Sequence, residues 1–207
     1  PAARADVQRL RAASCAVLTG SGTVLTDDCA LSVRVGELGL EAPAAQLAAA
    51  RQPLRVVLDS TLRTPAAARV LAGAAPTLLC HRRDVAIPAD LAASGAQFHA
   101  LEQGDHGLRL APLFDELTRR QCNEILVESG PRLAGAMLQA GLLDEVIIYM
   151  APALLGDRAR PLLSLPLDAM AQKVPLTLRD VRQVGNDLRI SAVPAADAQA
   201  GAETGDV

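Results

Sequence analysis

Three stretches of this chain set residue types side by side that suit chemistry. The first is "VESGPRLAGA", residues 127–136. An acid, Glu128, closes an apolar run, and Gly130 and Pro131 then open what reads as a helix. The first N–H groups of a helix lack intrahelical partners and carry the positive end of its dipole, so this turn favours an anion. The small residues Ala134, Gly135 and Ala136 let a ligand or a neighbouring strand come close. A carboxylate beside such a turn is electrostatically awkward unless it faces hydrogen-bond donors. The plainer reading is a helix packed on its sheet, with Glu128 a solvated strand end.

The second stretch is "TGSGTVLTDD", residues 19–28, with glycines for close backbone approach and hydroxyls on Thr19, Ser21 and Thr23. It lacks the Gly-Lys-Ser/Thr of a phosphate loop, the G-x-G-x-x-G fingerprint and the G-x-S-x-G nucleophile turn. A plain strand-to-helix turn explains it as well. The third is "VVLDS", residues 56–60, which ends a strand in Asp59 and Ser60. In open α/β sheets ligands gather at the carboxyl ends of strands, although Asp and Ser also simply open turns. Arg11 and Arg34 are single cations whose forks suit a phosphate. His81, His99 and His106 lack metal-ligand spacing and read as surface or loop residues.

These residues need elements to hold them. Residues 1–12 read as a helix, 15–20 as a buried strand and 21–28 as a short helical turn. Residues 36–52 are Ala-rich and read as a loop or a poorly specified helix. Strands follow at 53–60, 77–80, 96–101, 124–129 and 144–152, and helices at 65–73, 108–121 and 131–141. Residues 176–193 read as two strands joined near Gly185-Asn186-Asp187. Alternating strands and helices that end in an antiparallel hairpin give an α/β fold whose sheet is mixed rather than purely parallel. One domain is expected over residues 1–193, with a small, polar and acidic disordered tail at 194–207.

Composition fits that class. Half of the 207 residues are apolar but only 1% are aromatic, so Leu, Val, Ile and Ala must build the core. A net charge of -3 with no Lys/Arg block gives no sign of a nucleic-acid or membrane partner. The four cysteines form no Cys-x-x-Cys pair, and Cys15, Cys80 and Cys122 border or sit in apolar runs, so they read as buried thiols. With no signal peptide or long apolar span, a cytoplasmic location is expected.

Four segments in order carry a resemblance: "DVQRLRAASCAVLTGSGTVLTDDCALSVR" (6–34), "QPLRVVLDSTLRTP" (52–65), "NEILVESGPRLAGAMLQAGLLDEVIIYMAPALLG" (123–156) and "DVRQVGNDLRI" (180–190). Together they resemble the reductase domain of the bifunctional riboflavin-biosynthesis deaminase–reductase. The resemblance implies a dihydrofolate-reductase-like fold, three-layer α/β/α with a mixed, mostly parallel central sheet and a C-terminal antiparallel hairpin. It implies NADPH-dependent reduction of the ribosyl group of 5-amino-6-(5-phosphoribosylamino)uracil to a ribityl chain, with no metal. By matched position, it puts substrate on Arg11, Leu31, Arg34 and Glu128. It puts NADPH on Thr23, Asp27 and Ser60, and on Gly130, Pro131, Arg132, Leu133, Ala134, Gly135 and Ala136. On that division of labour, Glu128 accepts hydrogen bonds from the substrate ring while the turn beyond it faces the cofactor's phosphates. A homodimer or higher homo-oligomer is also implied.

Two departures stand out. The family's usual upstream strand, of the type K-x-A-x-S-x-D-G, and a short W-I-T/S stretch would precede Pro1, so the chain is expected to be N-terminally truncated relative to the family and names no general acid. The zinc-deaminase signature is absent, and Cys29 stands where the family usually has proline. The rival expectations are a related pterin or pyrimidine reductase, and a non-catalytic nucleotide-binding or dimerisation domain.

Overall fold

The computed structural model describes residues 1–104 and 107–195. They divide into two compact units, one of Arg4–Gly130 and one of Pro1–Ala3 with the chain from Pro131 onward. No change of composition marks the division, which falls inside the Ser129-Gly130-Pro131 turn.

In the first unit the order is α1 (Ala2–Ala13), β1 (Ala16–Gly20), α2 (Ser21–Asp27), α3 (Ala42–Ala50), β2 (Leu54–Leu58), β3 (Thr77–Arg82), α4 (Ala89–Ala92) and β4 (Gln97–Leu101). The short β5 (Gln103–Gly104) and β6 (Gly107–Leu108), α5 (Ala111–Arg119) and β7 (Ile125–Val127) complete it. Five strands form a parallel sheet in the order β4-β3-β2-β1-β7. The runs that make β1 and β2 are mostly apolar because both faces are covered, with Thr19 and Arg55 as their buried polar residues. Val17, Val57 and Leu79 face one cluster with Val24, Leu31, Leu62, Val70 and Leu91. Leu18, Val56 and Leu78, which alternate with them, are also fully buried.

Several expectations change in this unit. The helix expected at 65–73 is a run of tight turns around a 3₁₀ segment at Arg69–Leu71. Ala68, Leu71 and Ala72 each donate three residues back rather than four. The Ala72 carbonyl instead accepts Nη1 of the buried Arg55 at 2.7 Å, and the Ala75 carbonyl accepts Nη2. Burial lowers the pKa of Arg55, and these carbonyls are its compensation. The helix expected from 108 starts only at Ala111, with Pro112 in its first turn where a missing N–H costs nothing. The Ala-rich stretch does form a helix, α3, with Pro43 in its first turn. His81 is not a surface or loop residue: it is buried on β3, edge-on to Phe98 at 6.2 Å between ring centroids. His99 is half-buried on β4, and His106 lies outside the described residues. Only Cys80 is a fully buried thiol, with its pKa pushed up to about 12 by burial, whereas Cys15, Cys29 and Cys122 are half-buried.

The second unit holds α6 (Pro131–Gln139), β8 (Val146–Met150), β9 (Leu176–Val184) and β10 (Asp187–Pro194). The three strands form an antiparallel sheet in the order β8-β10-β9, with a bulge between Ser191 and Ala192. Gly185, at φ 65°, makes the tight turn between β9 and β10. The first unit's ladder is parallel and the second unit's is antiparallel, ending in the hairpin, in keeping with the expected α/β class. Pro194, expected to begin the tail, still pairs with Leu176, and residues 196–207 lie outside the described residues. Among the described residues no helix is long and apolar enough to cross a membrane.

Candidate functional site

The strand order of the five-stranded sheet marks where a ligand belongs. From β1 the chain steps outward through β2, β3 and β4, then returns to the other side of β1 as β7. This reversal is a topological switch point, and in open parallel sheets ligands bind at the carboxyl ends of the strands that flank it. Here those ends are Gly20 of β1 and Val127 of β7, followed by Ser21 and by Glu128. Glu128 is held to the edge by its own N–H, which donates to the Leu18 carbonyl at 2.9 Å.

The Glu128 side chain meets Arg11 from the last turn of α1. Nε and Nη2 of Arg11 donate to the two carboxylate oxygens at 2.6 and 2.7 Å. The side chains are only 11% and 24% exposed, so this bidentate pair is less screened than an open surface pair. Burial alone would lower the pKa of Arg11, but the hydrogen bond and charge of Glu128 outweigh it and the pKa is raised. The third donor of Arg11, Nη1, reaches the Ser32 carbonyl at 3.1 Å.

That contact begins a wider arrangement. Residues 32–34 have no ladder to pair with, and side chains take up part of their backbone instead. The Val33 N–H donates to Gln52 Oε1 at 2.9 Å, and Gln52 Nε2 donates to the Val33 carbonyl at 3.0 Å. The Arg34 N–H donates to Oε1 of the buried Gln8 at 2.9 Å. Gln8 sits one helical turn before Arg11, so α1 grips both ends of the segment 32–34. Leu31 has a left-handed φ of 52°, and its buried side chain packs in the cluster with Val17, Val24 and Val57. Any ligand contact by Leu31 therefore goes through its main chain. Arg34 is exposed and pairs with Glu37 at 2.7 Å. Burial raises the pKa of the neighbouring Cys29 thiol, against the pull of Arg11.

Thr23 and Asp27 both lie on α2, Thr23 half-buried and Asp27 exposed in the last turn. Ser60 follows β2, and its carbonyl accepts the Arg82 N–H at 3.1 Å. The loop around Ser60 is tightly set. Asp59 is fully buried, and its Oδ2 accepts both the N–H and the hydroxyl of Thr64, at 2.6 and 2.7 Å. Leu62 is left-handed at φ 54° with its side chain in the core. A left-handed leucine costs about 1–2 kcal/mol, while burying its side chain gains about 1.5–3 kcal/mol, so burial wins. Among the described residues the buried hydroxyls of Thr19 and Ser129 have no hydrogen-bond partner, and Gly22 and Gly130 face open space. Unpaired hydroxyls and open glycines at a sheet edge fit a polar ligand that approaches the backbone closely.

In the second unit Pro131 begins α6, whose first-turn N–H groups lack intrahelical partners. Arg132 is exposed, Leu133, Ala134 and Ala136 are half-buried, and Gly135 is buried. The small-residue stripe has a use within the chain itself. The Ser164 backbone lies against Gly135, so a Cβ there would come within 2.9 Å of the Ser164 carbonyl carbon. The Ser164 N–H also donates to the Pro131 carbonyl at 2.9 Å. The neighbour allowed in at Gly135 is thus an irregular stretch of backbone, not a strand.

The first unit accordingly brings Arg11, Glu128, Leu31 and Arg34 into one substructure, and sets Thr23, Asp27 and Ser60 on α2 and the loop that leaves β2. Sequence reasoning missed Gln8, Gln52 and Thr64, which hold these segments. Gln8 had a signal in its one-turn spacing from Arg11; Gln52 and Thr64 had none. Among the described residues no three His, Cys, Asp or Glu side chains gather as a metal would require.

The family model described as "RibD C-terminal domain" matches residues 1–190. The riboflavin biosynthesis protein RibD of Escherichia coli (strain K12) is 41% identical over 202 residues, which cover 94% of this chain and 53% of that protein. A Buchnera aphidicola protein named 5-amino-6-(5-phosphoribosylamino)uracil reductase is 28% identical over 93% of this chain and 92% of its own length. The solved structure of Acinetobacter baumannii RibD, form 2, superposes with a TM-score of 0.79 at 36% identity, covering 94% of this chain and 51% of that one. The chain spans about half the length of the first curated relatives it matches.

Proposed function

The chain belongs to the RibD C-terminal domain family, and on that premise we propose that it is a reductase of riboflavin biosynthesis. It uses a nicotinamide cofactor, specifically NADPH, to reduce the ribosyl group of 5-amino-6-(5-phosphoribosylamino)uracil to the ribityl product. The observation that carries this reading is the Arg11–Glu128 pair, set at the switch point of a parallel sheet with residues 32–34 tied to the same helix. The name of the Buchnera relative, which the chain matches over nearly its whole length, supports the same reaction.

The roles follow from side-chain chemistry. A carboxylate offers about four acceptor sites, and a bidentate arginine uses two. Glu128 therefore keeps acceptor capacity for N–H groups of the aminopyrimidine while Arg11 fixes its orientation. Arg34, exposed and paired only with the equally accessible Glu37, is the cation free to exchange partners toward the substrate phosphate. The main chain at Leu31 lines the same segment. In the first unit Thr23, Asp27 and Ser60 are the cofactor contacts; in the second, the start of α6, from Pro131 to Ala136, offers first-turn N–H groups suited to a phosphate. What the dinucleotide supplies when bound is a hydride for the ribosyl C1′. The chain's contribution is to bind both partners and hold their reacting carbons within about 3–3.5 Å.

The test is to mix the chain with NADPH and the phosphorylated substrate and follow loss of reduced-nicotinamide absorbance. Turnover that requires the 5-phosphate is expected. Turnover only with a dephosphorylated or pterin substrate would make the chain a different reductase, and no turnover would leave a non-catalytic domain.

A further inference from the structure

Two of the four cysteines meet at the amino edge of the five-stranded sheet, the edge opposite the candidate site. Cys15 immediately precedes β1, and Cys122 lies in the turn between α5 and β7. They are far apart in the chain, but the β1–β7 ladder brings them together. The Cys15 N–H donates to the Glu124 carbonyl at 2.8 Å, one step before Ala16 pairs with Ile125. The Cys15 sulfur accepts from the backbone N–H groups of Glu124 and Asn123, and from the guanidinium of Arg51. The Asn123 nitrogen is bonded to the carbonyl carbon of Cys122, so the sulfur of Cys15 rests on the peptide that Cys122 begins. Nη2 of Arg51 also donates to the Ser14 carbonyl at 3.1 Å, which fixes the guanidinium beside Cys15. Both thiols are half-buried, so small reagents reach them.

The two thiols differ in character. Two backbone N–H groups and an arginine stabilise a thiolate, and they lower the pKa of Cys15. Burial raises the pKa of Cys122, and charge on Cys15 raises it further, against the pull of Arg120 and Arg51. The Cys122 S–H donates to the Arg120 carbonyl at 4.0 Å. Burial also raises the pKa of Cys29 and holds Cys80 at about 12. A nucleophilic thiolate beside a protonated thiol is the arrangement of a reactive and a resolving cysteine.

We propose that Cys15 and Cys122 form a redox modification site, in which a hydroperoxide oxidises Cys15 and Cys122 then closes a reversible disulfide. The Cys15 thiolate attacks one peroxide oxygen and the O–O bond breaks. Hydroxide leaves, takes up the proton that Cys15 had lost, and Cys15 becomes a sulfenic acid. The Cys122 sulfur then attacks the Cys15 sulfur, the S–O bond breaks, and water leaves with the Cys122 proton. For hydrogen peroxide, two thiols are oxidised and one peroxide is reduced to two waters. The new bond staples the segment just after Arg11 to the segment just before Glu128, so it reinforces the scaffold of that pair without touching either side chain.

The test uses the folded, unsubstituted chain. Brief exposure to iodoacetamide at neutral pH, followed by peptide mass spectrometry, should find Cys15 alkylated before Cys29, Cys80 and Cys122. Hydrogen peroxide, then blocking of free thiols and non-reducing digestion, should yield a Cys15–Cys122 linked peptide from within one chain. Dithiothreitol should restore both thiols. In Cys122→Ser, dimedone should trap the sulfenic acid on Cys15, and Arg51→Gln should slow alkylation of Cys15 several-fold. Absence of the Cys15–Cys122 link after peroxide, a link to Cys29 or between two chains instead, or alkylation of Cys29 as fast as Cys15 would overturn the inference.

Discussion

At the scale of single residues, the pair of Glu128 and Arg11 decides most. From sequence, the acid beside an anion-favouring turn stood unexplained. The structure answers the charge with Arg11, 117 positions away in the chain, through two hydrogen bonds. No local pattern reveals such a partner; only the resemblance set both residues in one site. The pair also alters what each can do: Arg11 has its fork engaged by Glu128 and Ser32, so on the proposed function Arg34 is the cation left for the substrate phosphate. Glu128→Gln preserves shape but loses the charge that orients the pair. It should raise the KM for the phosphorylated substrate by about tenfold or more, as expected for a charge-assisted contact. The NADPH dissociation constant should not change; equal losses for both ligands would show that Glu128 serves the other side of the site. In chemical denaturation Arg11→Ala should cost about 1–3 kcal/mol, because it strands a half-buried carboxylate. Arg9→Ala, which removes a side chain 40% exposed, should cost under about 1 kcal/mol.

At the scale of elements, the strands were the most legible and the connections the least. Short apolar runs such as "VVL" are satisfied by burial on both faces, and they became central strands. The segment 65–73 misled because Pro early and Gly late mimic helix bounds, while the need of buried Arg55 for carbonyl partners lies outside any local window. The segment 28–34 was legible as a loop but not as an ordered one, since its order comes from Gln8, Arg11 and Gln52 rather than from its own residues. Gln52 supplies a donor and an acceptor to Val33, much as a neighbouring strand would. Gln52→Leu should therefore loosen the segment that carries Leu31 and Arg34. The expected outcome is a several-fold higher substrate KM with nearly unchanged NADPH affinity, and a stability loss of about 1–3 kcal/mol from the orphaned Val33 groups. A loss of stability without any change in KM would make Gln52 a purely structural residue.

At the scale of the whole molecule, the α/β class and the C-terminal hairpin followed from the alternation of patterns along the chain. The separation into two compact units did not, because the boundary at 130–131 falls in a tight turn with no linker composition. The order of strands within each ladder was equally hidden, since strand pairing is a long-range property that strand patterns alone leave open. The switch point beside β1 needed the strand order, and it is what gives the matched motifs a shared location in the first unit. The central claim is that this chain directs hydride from a nicotinamide to the ribosyl carbon of the substrate. Its most direct test uses NADPH carrying deuterium at both C4 positions, with mass spectrometry of the product formed by the chain. The account predicts a ribityl product that has gained one deuterium, located at C1′. A ribityl product without that deuterium, or no ribityl product at all, would contradict it.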